Sequence, residues 1–441
     1  MTKETFTRKV FQGDIPIWII FMLLCCFSLV EVFSATSTLA YNEPNIWRPI
    51  ARHATHLTIG FFCVLGLVRI PSRYYPLGGS LLMLAAIALL AAVPFVGISV
   101  NDASRWIEIF GIRFQPSEIG KLACVIYVAF LLSKIGVRFT EKTAFYWIIG
   151  GVGIVCALIL LYNLSTALLL GLVCLLMMFV GHVSLMRIGR LLLILLLLSV
   201  ALLGLSKIAP ETTHKVFPRL ETWGNRLTEH IDDRASESDL IKDDSQYVID
   251  DDNYQVSHAK IAIARGGLFG RMPGRSVQRD FLPLAYSDFI FAIIIEELGI
   301  VGGTVVLLLY IMLLIRVGII ARRCELLFPK YLVIGCGLMI VIQALTNMAV
   351  AVNLMPVTGQ PLPLISRGGT STVLTCLYFG IILSVSRFGA GMGEDEAAEE
   401  EEAVEEDAEV EEESAPIEAA PSVRSSTPVP SPAENERQSP S

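Results

Sequence analysis

The sequence predicts an all-α protein that crosses a membrane with about ten helices. Of its 441 residues, 54% are hydrophobic, and the mean hydropathy of +0.61 indicates a polytopic membrane protein rather than a soluble domain. Apolar runs long enough to cross a bilayer recur along most of the chain. The predicted spans lie at roughly 15–36, 53–69, 78–97, 118–135, 144–162, 165–181, 190–208, 286–315, 330–353 and 367–388.

The loops between these spans predict the orientation of the chain. The fifth and sixth runs are nearly continuous, and if both cross the membrane the two termini lie on the same side. Short loops on that side carry Arg69, Arg73, Lys134, Arg138, Lys142, Arg187, Arg190, Arg316, Arg322, Arg323 and Lys330. Short loops on the other side carry chiefly Arg48, Arg52, Arg105 and Arg113. Because loops rich in Lys and Arg stay in the cytoplasm, we expect cytoplasmic termini and an extracytoplasmic loop at about 209–285.

The domain organisation follows from the same composition. Residues 1–14 form the cytoplasmic N-terminus, 15–390 the transmembrane domain, and 391–441 a tail that is acid-rich and then rich in Ser and Pro. We expect this tail to be disordered. It also carries most of the net charge of −8, and no basic block suggests a nucleic-acid partner. The nine cysteines have no CxxC spacing, which argues against a disulfide framework or a zinc site.

Asp288 is the first candidate catalytic residue. It lies in the stretch FLPLAYSDFIFAIIIEELG, residues 281–299, where the longest polar loop meets an apolar run. A structural alternative is a helix N-terminal charge, since Asp favours the positive end of a helix dipole. Glu296 and Glu297 follow deeper in the run, where acids are costly and face protein or a water-filled cavity.

A second candidate region is NDASRWIEIFGIRFQPSEIGK, residues 101–121. Trp106 and the apolar residues after it are typical of a segment at the membrane interface. Arg113, Glu118 and Lys121 cluster where the fourth span begins, and Glu118 and Lys121 share one helix face. The alternative interpretation is an interfacial anchor with snorkelling side chains.

The last part of the outer loop is rich in glycine and basic residues. It reads YQVSHAKIAIARGGLFGRMPGRSVQRDFLP, and its first half predicts a short amphipathic helix ending at Gly266 and Gly267. Its basic residues are Lys260, Arg265, Arg271, Arg275 and Arg279. Arginine and free backbone N–H groups bind phosphates, so this segment is a candidate anion site. Contact with anionic lipid headgroups is the alternative.

The third region lies between the ninth and tenth spans, MPVTGQPLPLISRGGTS, and contains Arg367. Irregular backbone at this depth is tolerated against protein or a cavity. The ninth span before it carries a polar stripe of Gln343, Thr346, Asn347 and Asn353. Such a stripe forms either interhelical hydrogen bonds or a polar path.

These stretches together resemble the SEDS family (shape, elongation, division and sporulation) over about residues 11–390. The motifs are NDASRWI with FQPSEIGK, AKIAIARGGLFG, SDFIFAIIIEELG and GQPLPLISRGGTS. The segments GRSVQR and TGQPLPLIS are more similar to division members than to elongation members. Residues 161–166 depart from the family, reading LYNLST where an acidic sequence is usual, and so does Arg367, which stands where tyrosine is common.

The resemblance implies a peptidoglycan glycosyltransferase that polymerises lipid II at the outer face of the bacterial inner membrane, at the division septum. It implies a class B penicillin-binding protein and other division proteins as partners. Asp288 corresponds to the family's essential aspartate, and Arg113 and Lys121 to its basic residues at the fourth span.

In the implied reaction Asp288 is the general base, and the loop arginines, with Arg113 and Lys121, stabilise the leaving pyrophosphate. No cofactor is demanded by the residue pattern, although a divalent cation such as Mg²⁺ or Mn²⁺ would suit the same role. Two alternatives remain. One is a lipid II flippase with Glu296, Glu297, Gln343 and Asn347 along a polar path, and the other is an elongation polymerase.

Overall fold

In the computed structural model, the described residues are 11–35, 47–100, 103–109, 112–208, 253–282 and 285–389, with the isolated positions 224, 228 and 249. The predicted acidic tail and most of the predicted outer loop lie outside the described residues.

Eleven α-helices form the described fold, and ten of them overlap the ten predicted spans, with ends that differ by up to eight residues. They are α1 (Ile15–Ala35), α2 (Arg48–Leu67), α3 (Tyr75–Val96), α4 (Pro116–Ser133), α5 (Glu141–Leu160), α6 (Leu164–Val180), α7 (Leu185–Ile208), α8 (Tyr254–Gly266), α9 (Ile290–Arg323), α10 (Leu327–Ala351) and α11 (Thr370–Phe388). Short 3₁₀ helices lie at Ser72–Tyr74 and Gln278–Asp280. Among the described residues, eight helices are long and apolar enough to cross a membrane, and α6 is an apolar helix of 17 residues. The all-α membrane prediction is confirmed.

Local sequence explains several of the helix boundaries. Proline occupies the first turn of α2, α3 and α4, where its missing N–H costs no hydrogen bond. The nearly continuous fifth and sixth runs are two helices, because Asn163 caps α6 with its side chain, which accepts from Thr166 N–H at 3.1 Å. The predicted amphipathic helix is confirmed as α8, which ends at Gly266.

A small antiparallel sheet between α3 and α4 was not predicted. Its strands are β1 (Ile98–Val100), β2 (Ala103–Ile109) and β3 (Ile112–Phe114), in that order. Within β2, Ile107 is buried and the next residue, Glu108, is exposed, which is the period-2 pattern of a half-buried strand. The interfacial segment expected around Trp106 is therefore part of a strand.

Helix α9 is interrupted at Gly299, where φ is +74°. The loop of residues 266–275, called the glycine loop below, occupies this break. Its hydrogen bonds to α9 are Arg271 N–H to Glu296 O at 3.0 Å, Met272 N–H to Glu297 O at 2.8 Å, Ile300 N–H to Gly267 O at 3.0 Å and Val301 N–H to Leu268 O at 3.3 Å. The backbone groups that a helix break leaves without partners are thus satisfied by the loop.

Two helices that support the candidate site, α4 and α10, are the most enclosed of the eight. Of the membrane-spanning part, 83% is buried in α4 and 67% in α10, compared with 39% in α9 and 22% in α2. Polar side chains on α4 and α10 therefore meet protein rather than lipid, which is the condition under which they are tolerated in a membrane domain.

Candidate functional site

Asp288 lies at the start of α9, in a turn whose main chain is held at three consecutive carbonyls. Arg367 N–H donates to Tyr286 O at 3.0 Å, Ser366 Oγ to Ser287 O at 2.6 Å, and Asn347 Nδ2 to Asp288 O at 2.8 Å. The donors come from α10 and from residues 359–367, called the proline loop below. Because three successive carbonyls are fixed, the direction in which the Asp288 side chain leaves the backbone is fixed as well.

The carboxylate of Asp288 is half-buried. Ser287 Oγ donates to its Oδ1 at 3.0 Å. On the other side lies Gly359, with φ of +66°, where an added Cβ would lie 3.7 Å from Asp288 Oδ2. Glycine at this position satisfies the positive φ and keeps the space beside the carboxylate unfilled. The Arg367 guanidinium lies 5.3 Å from the centre of the Tyr286 ring, within the range of a cation–π contact.

Two amides of α10 hold the proline loop against this turn. The Asn347 Nδ2 group uses its second hydrogen to reach Gln360 O at 2.8 Å, and Gln343 Nε2 donates to Pro361 O at 3.0 Å. Gln360 in turn donates to Thr166 Oγ1 at 2.8 Å. Gln343 and Asn347, two members of the polar stripe, therefore bind the proline loop with their side-chain amides.

The predicted cluster of Arg113, Glu118 and Lys121 is divided in the structure. Lys121 is fully buried and lies 2.6 Å from Glu118 Oε1. It also donates to Gln343 Oε1 at 2.9 Å, so it connects α4 to the amide that holds the proline loop. Arg113 is instead 61% exposed and pairs with Glu108 at 2.8 Å.

The basic residues of the outer loop also separate into two groups. Arg265, Arg271 and Arg275 are exposed, and Lys260 is half-buried. The Arg279 side chain is 17% exposed and donates to Ser34 O at 3.2 Å and Ser34 Oγ at 3.0 Å. The structure therefore places Arg279 in the packing between α1 and this loop.

Glu296 and Glu297 are fully buried, and both carboxylates bind the segment 274–278. Glu296 accepts from Val277 N–H at 3.2 Å, Gln278 N–H at 3.2 Å and Ser276 Oγ, while Glu297 accepts from Gly274 N–H at 3.1 Å, Ser276 N–H at 3.3 Å and Ser34 Oγ. The expectation that these acids face protein is confirmed. Their hydrogen bonds fix the end of the glycine loop and the residues that follow it, up to Gln278.

Sequence reasoning missed several residues of this arrangement, namely Ser34, Ser276, Ser287, Gln360 and Ser366. Each is a small polar residue or an amide that acts through one or two hydrogen bonds, and none stands out in composition or periodicity. A signal existed for Ser366, since it lies in an irregular segment whose buried backbone must find partners. Within the described residues, no three His, Cys, Asp or Glu side chains converge as a metal site would require.

Comparison with known proteins identifies the family. The sequence profile of the FtsW, RodA and SpoVE family, described as a cell cycle protein, matches residues 15–390. The chain belongs to this family. The resemblance drawn from the motifs is therefore confirmed, and with it a multi-pass membrane protein.

Individual relatives of this FtsW/RodA/SpoVE chain cover nearly its whole membrane domain. A probable peptidoglycan glycosyltransferase FtsW from Hahella chejuensis is 33% identical, covering 87% of this chain and 92% of the relative. A relative of the same name from Coxiella burnetii is 29% identical, covering 84% of this chain and 95% of the relative.

Two solved structures show the same fold at 23% identity. One comes from work on polymerization and crosslinking by a peptidoglycan synthase complex, with a TM-score of 0.61 over 86% of this chain and 99% of the other. The other is Thermus thermophilus RodA, with a TM-score of 0.58 over 86% of this chain and 97% of the other.

Proposed function

We propose that the chain is a peptidoglycan glycosyltransferase that polymerises lipid II at the outer face of the inner membrane during cell division. The relatives named FtsW support the activity and favour division over elongation. The observation that carries the proposal in this molecule is the turn of Asp288. Three main-chain hydrogen bonds fix its position, and Asp288 is half-buried rather than fully enclosed.

In the proposed reaction, a sugar hydroxyl of the acceptor attacks the anomeric carbon of the donor. The hydroxyl proton passes to the Asp288 carboxylate, the new C–O bond forms, and the bond from the anomeric carbon to the lipid pyrophosphate breaks. A positioned base contributes ~10²–10⁴-fold to such a step. Holding the backbone through Asn347, Ser366 and Arg367 restricts the carboxylate to one approach, which favours a productive geometry.

The leaving pyrophosphate requires positive charge. Arg265, Arg271 and Arg275 are exposed at the glycine loop, and guanidinium groups suit phosphate oxygens through bidentate hydrogen bonds. A divalent cation is compatible with this site, since Mg²⁺ is often held by one or two carboxylates together with substrate phosphates. Asp288 would supply that carboxylate, and the ion would neutralise charge on the pyrophosphate.

The flippase alternative finds less support. It requires Glu296, Glu297, Gln343 and Asn347 along a polar path, but all four side chains bind neighbouring protein groups. The break in α9 is likewise closed by the glycine loop rather than directed to a path.

The test is polymerisation of lipid II by the purified Asp288→Asn variant. The amide keeps the size of the side chain but cannot accept the proton, so glycan product on a gel should fall by about 10²-fold or more. Glu297→Gln, which replaces a buried acid of the same helix, is the matched control and should remain active if folded. Normal polymer from Asp288→Asn, with flipping into liposomes abolished by Glu297→Gln, would favour the transporter.

We further propose a class B penicillin-binding protein as the partner, other division proteins as associates, and the division septum as the location. The solved complex that links polymerization to crosslinking supports the pairing. Co-purification of the two proteins from membranes should survive deletion of residues 395–441, because their acid-rich sequence offers no apolar surface for docking within the membrane. Loss of the complex on that deletion would assign the docking to the tail.

A further inference from the structure

The glycine loop is a fixed element whose apolar side chains are exposed. The exposed fraction is 58% for Leu268, 78% for Phe269 and 65% for Met272. Its backbone is fixed by the four hydrogen bonds to the break in α9. At Gly270, with φ of +76°, an added Cβ would lie 2.2 Å from Glu297 O. A loop held this closely presents its apolar residues in one direction rather than sampling many.

These side chains continue an apolar face of α9. After the break, the exposed apolar residues of this helix are Ile300, Val301, Val305, Leu308, Ile311, Met312, Leu314 and Ile315. Their spacing of three and four places most of them on one side of the helix. An exposed apolar face on a membrane-spanning helix is the face that contacts lipid acyl chains. Because Ile300 and Val301 donate their N–H groups to the carbonyls of Gly267 and Leu268, this part of the glycine loop lies beside the first turn of that face.

The length of α9 indicates the depth of this contact. Arg316 pairs at 2.7 Å with Asp14, which precedes α1, so the cytoplasmic end of the hydrocarbon core lies near Arg316. From Arg316 back to Ile300 the helix rises ~24 Å at ~1.5 Å per residue, whereas the hydrocarbon core is ~30 Å thick. Ile300 and the adjoining glycine loop therefore lie among the upper acyl carbons, just below the headgroups.

The charges of the loop match that depth. Between Ala264 and Arg275 the sequence contains Arg265, Arg271 and Arg275 and no acidic residue, and all three arginines are exposed. Lipid phosphates lie just above the acyl boundary, and basic side chains beside an anionic leaflet are attracted to them. Apolar tips flanked by arginine are the pattern of elements that insert into an interface.

We propose that the glycine loop inserts into the outer leaflet, with Leu268 and Phe269 among the upper acyl carbons and the arginines at the level of the lipid phosphates. The loop is bonded to the part of α9 that begins two residues after Asp288. Insertion therefore sets the height of Asp288 relative to the phosphates of the leaflet. This anchoring does not depend on which reaction the chain performs.

The experiment measures membrane depth in the full-length chain. A cysteine-free version in nanodiscs of phosphatidylcholine and phosphatidylglycerol receives a nitroxide label at Phe269→Cys. Ile300→Cys, on the lipid face of α9, and Asp280→Cys, on an exposed loop position, are the lipid and water references. Collisions of the label with oxygen, which concentrates in acyl chains, and with a water-soluble nickel chelate report its environment.

We expect the label at position 269 to match position 300, with high oxygen and low nickel accessibility, and a label at Leu268→Cys to do the same. In nanodiscs of pure phosphatidylcholine, the labels at positions 268 and 269 should still show high oxygen and low nickel accessibility, because the apolar contact does not require anionic lipid. Nickel accessibility at 268 and 269 equal to that at 280 would overturn insertion. That result, followed by protection of both positions only when a partner protein is added, would instead assign the patch to a protein interface.

Discussion

The two ends of the first part of α9 carry acids with opposite environments. At Asp288, main-chain hydrogen bonds fix the turn while the side chain is half-buried. At Glu296 and Glu297, the side chains are fully buried and their carboxylates receive backbone N–H groups and serine hydroxyls. The comparison shows that the position of an acid in a membrane sequence does not define its role. The main-chain carbonyl of Asp288 binds α10, whereas the carboxylates of Glu296 and Glu297 bind the segment 274–278.

The same comparison links the two regions mechanically. Residues 290–298 lie between Asp288 and the break at Gly299. One end of this short segment is held by α10 and the proline loop, and the other by the glycine loop. A shift of either support therefore reaches the other through a few helical turns.

The largest expected effect on the stability of the fold comes from replacing Glu297. Glu297→Ala leaves the N–H groups of Gly274 and Ser276 without their acceptor and removes one of the two acids near the Arg279 guanidinium, the other being Asp280. Removing one partner of a buried, hydrogen-bonded charge costs about 3–5 kcal/mol. We expect a marked fall in the thermal unfolding midpoint in detergent, accompanied by loss of activity.

Asp288→Asn provides the contrast, since it should change the unfolding midpoint little while activity is lost. Glu297→Gln retains an acceptor oxygen and should lie between Glu297→Ala and the parent chain in stability. If Glu297→Ala were as stable as the parent chain, its carboxylate would not be holding the 274–278 segment.

Sequence reasoning located the acids but not this division of roles. The position of Asp288 followed from the junction of a polar loop with an apolar run, and the ten spans followed from hydropathy. The break at Gly299 did not, because glycine is common in membrane helices and φ of +74° depends on the loop that fills it. Arg279 and the exposed arginines likewise share one run of sequence, and only the fold brings Arg279 to Ser34.

A second, smaller effect is expected at Asn347, which positions Asp288 without touching the reacting atoms. Asn347→Ala removes both donated hydrogen bonds, to Asp288 O and Gln360 O. A small displacement of a catalytic group costs up to about 10²-fold in rate, so we expect the maximal polymerisation rate to fall by about tenfold or more. The concentration of lipid II for half-maximal rate should stay nearly constant, because Asn347 does not touch the substrate and the interactions that bind it are unchanged.

Thr346→Ala is the matched control for Asn347. Thr346 precedes Asn347 on α10, and its hydroxyl donates to Ile342 O of its own helix at 2.8 Å. This variant should retain the parent rate. A parallel loss of rate in both variants, tracking their thermal stability, would show that α10 is simply destabilised and that Asn347 has no separate positioning role.

The smallest effect on stability is expected for an acid that is exposed. Glu108 is exposed on β2 and pairs with Arg113 at 2.8 Å, and exposed pairs contribute about 0–1 kcal/mol. Glu108→Gln should therefore leave the unfolding midpoint within error. It would also release the Arg113 guanidinium, while the Arg113 main-chain carbonyl still accepts from Thr370 Oγ1 at 3.2 Å.

Arg113→Gln tests whether Arg113 binds the substrate. If it does, this variant should reduce the polymerisation rate at low lipid II concentration, and more at low salt than at high salt, because exposed charges are screened. Equal rates for both variants at every salt concentration would remove Arg113 from the proposed binding residues and leave the role of Asp288 unchanged.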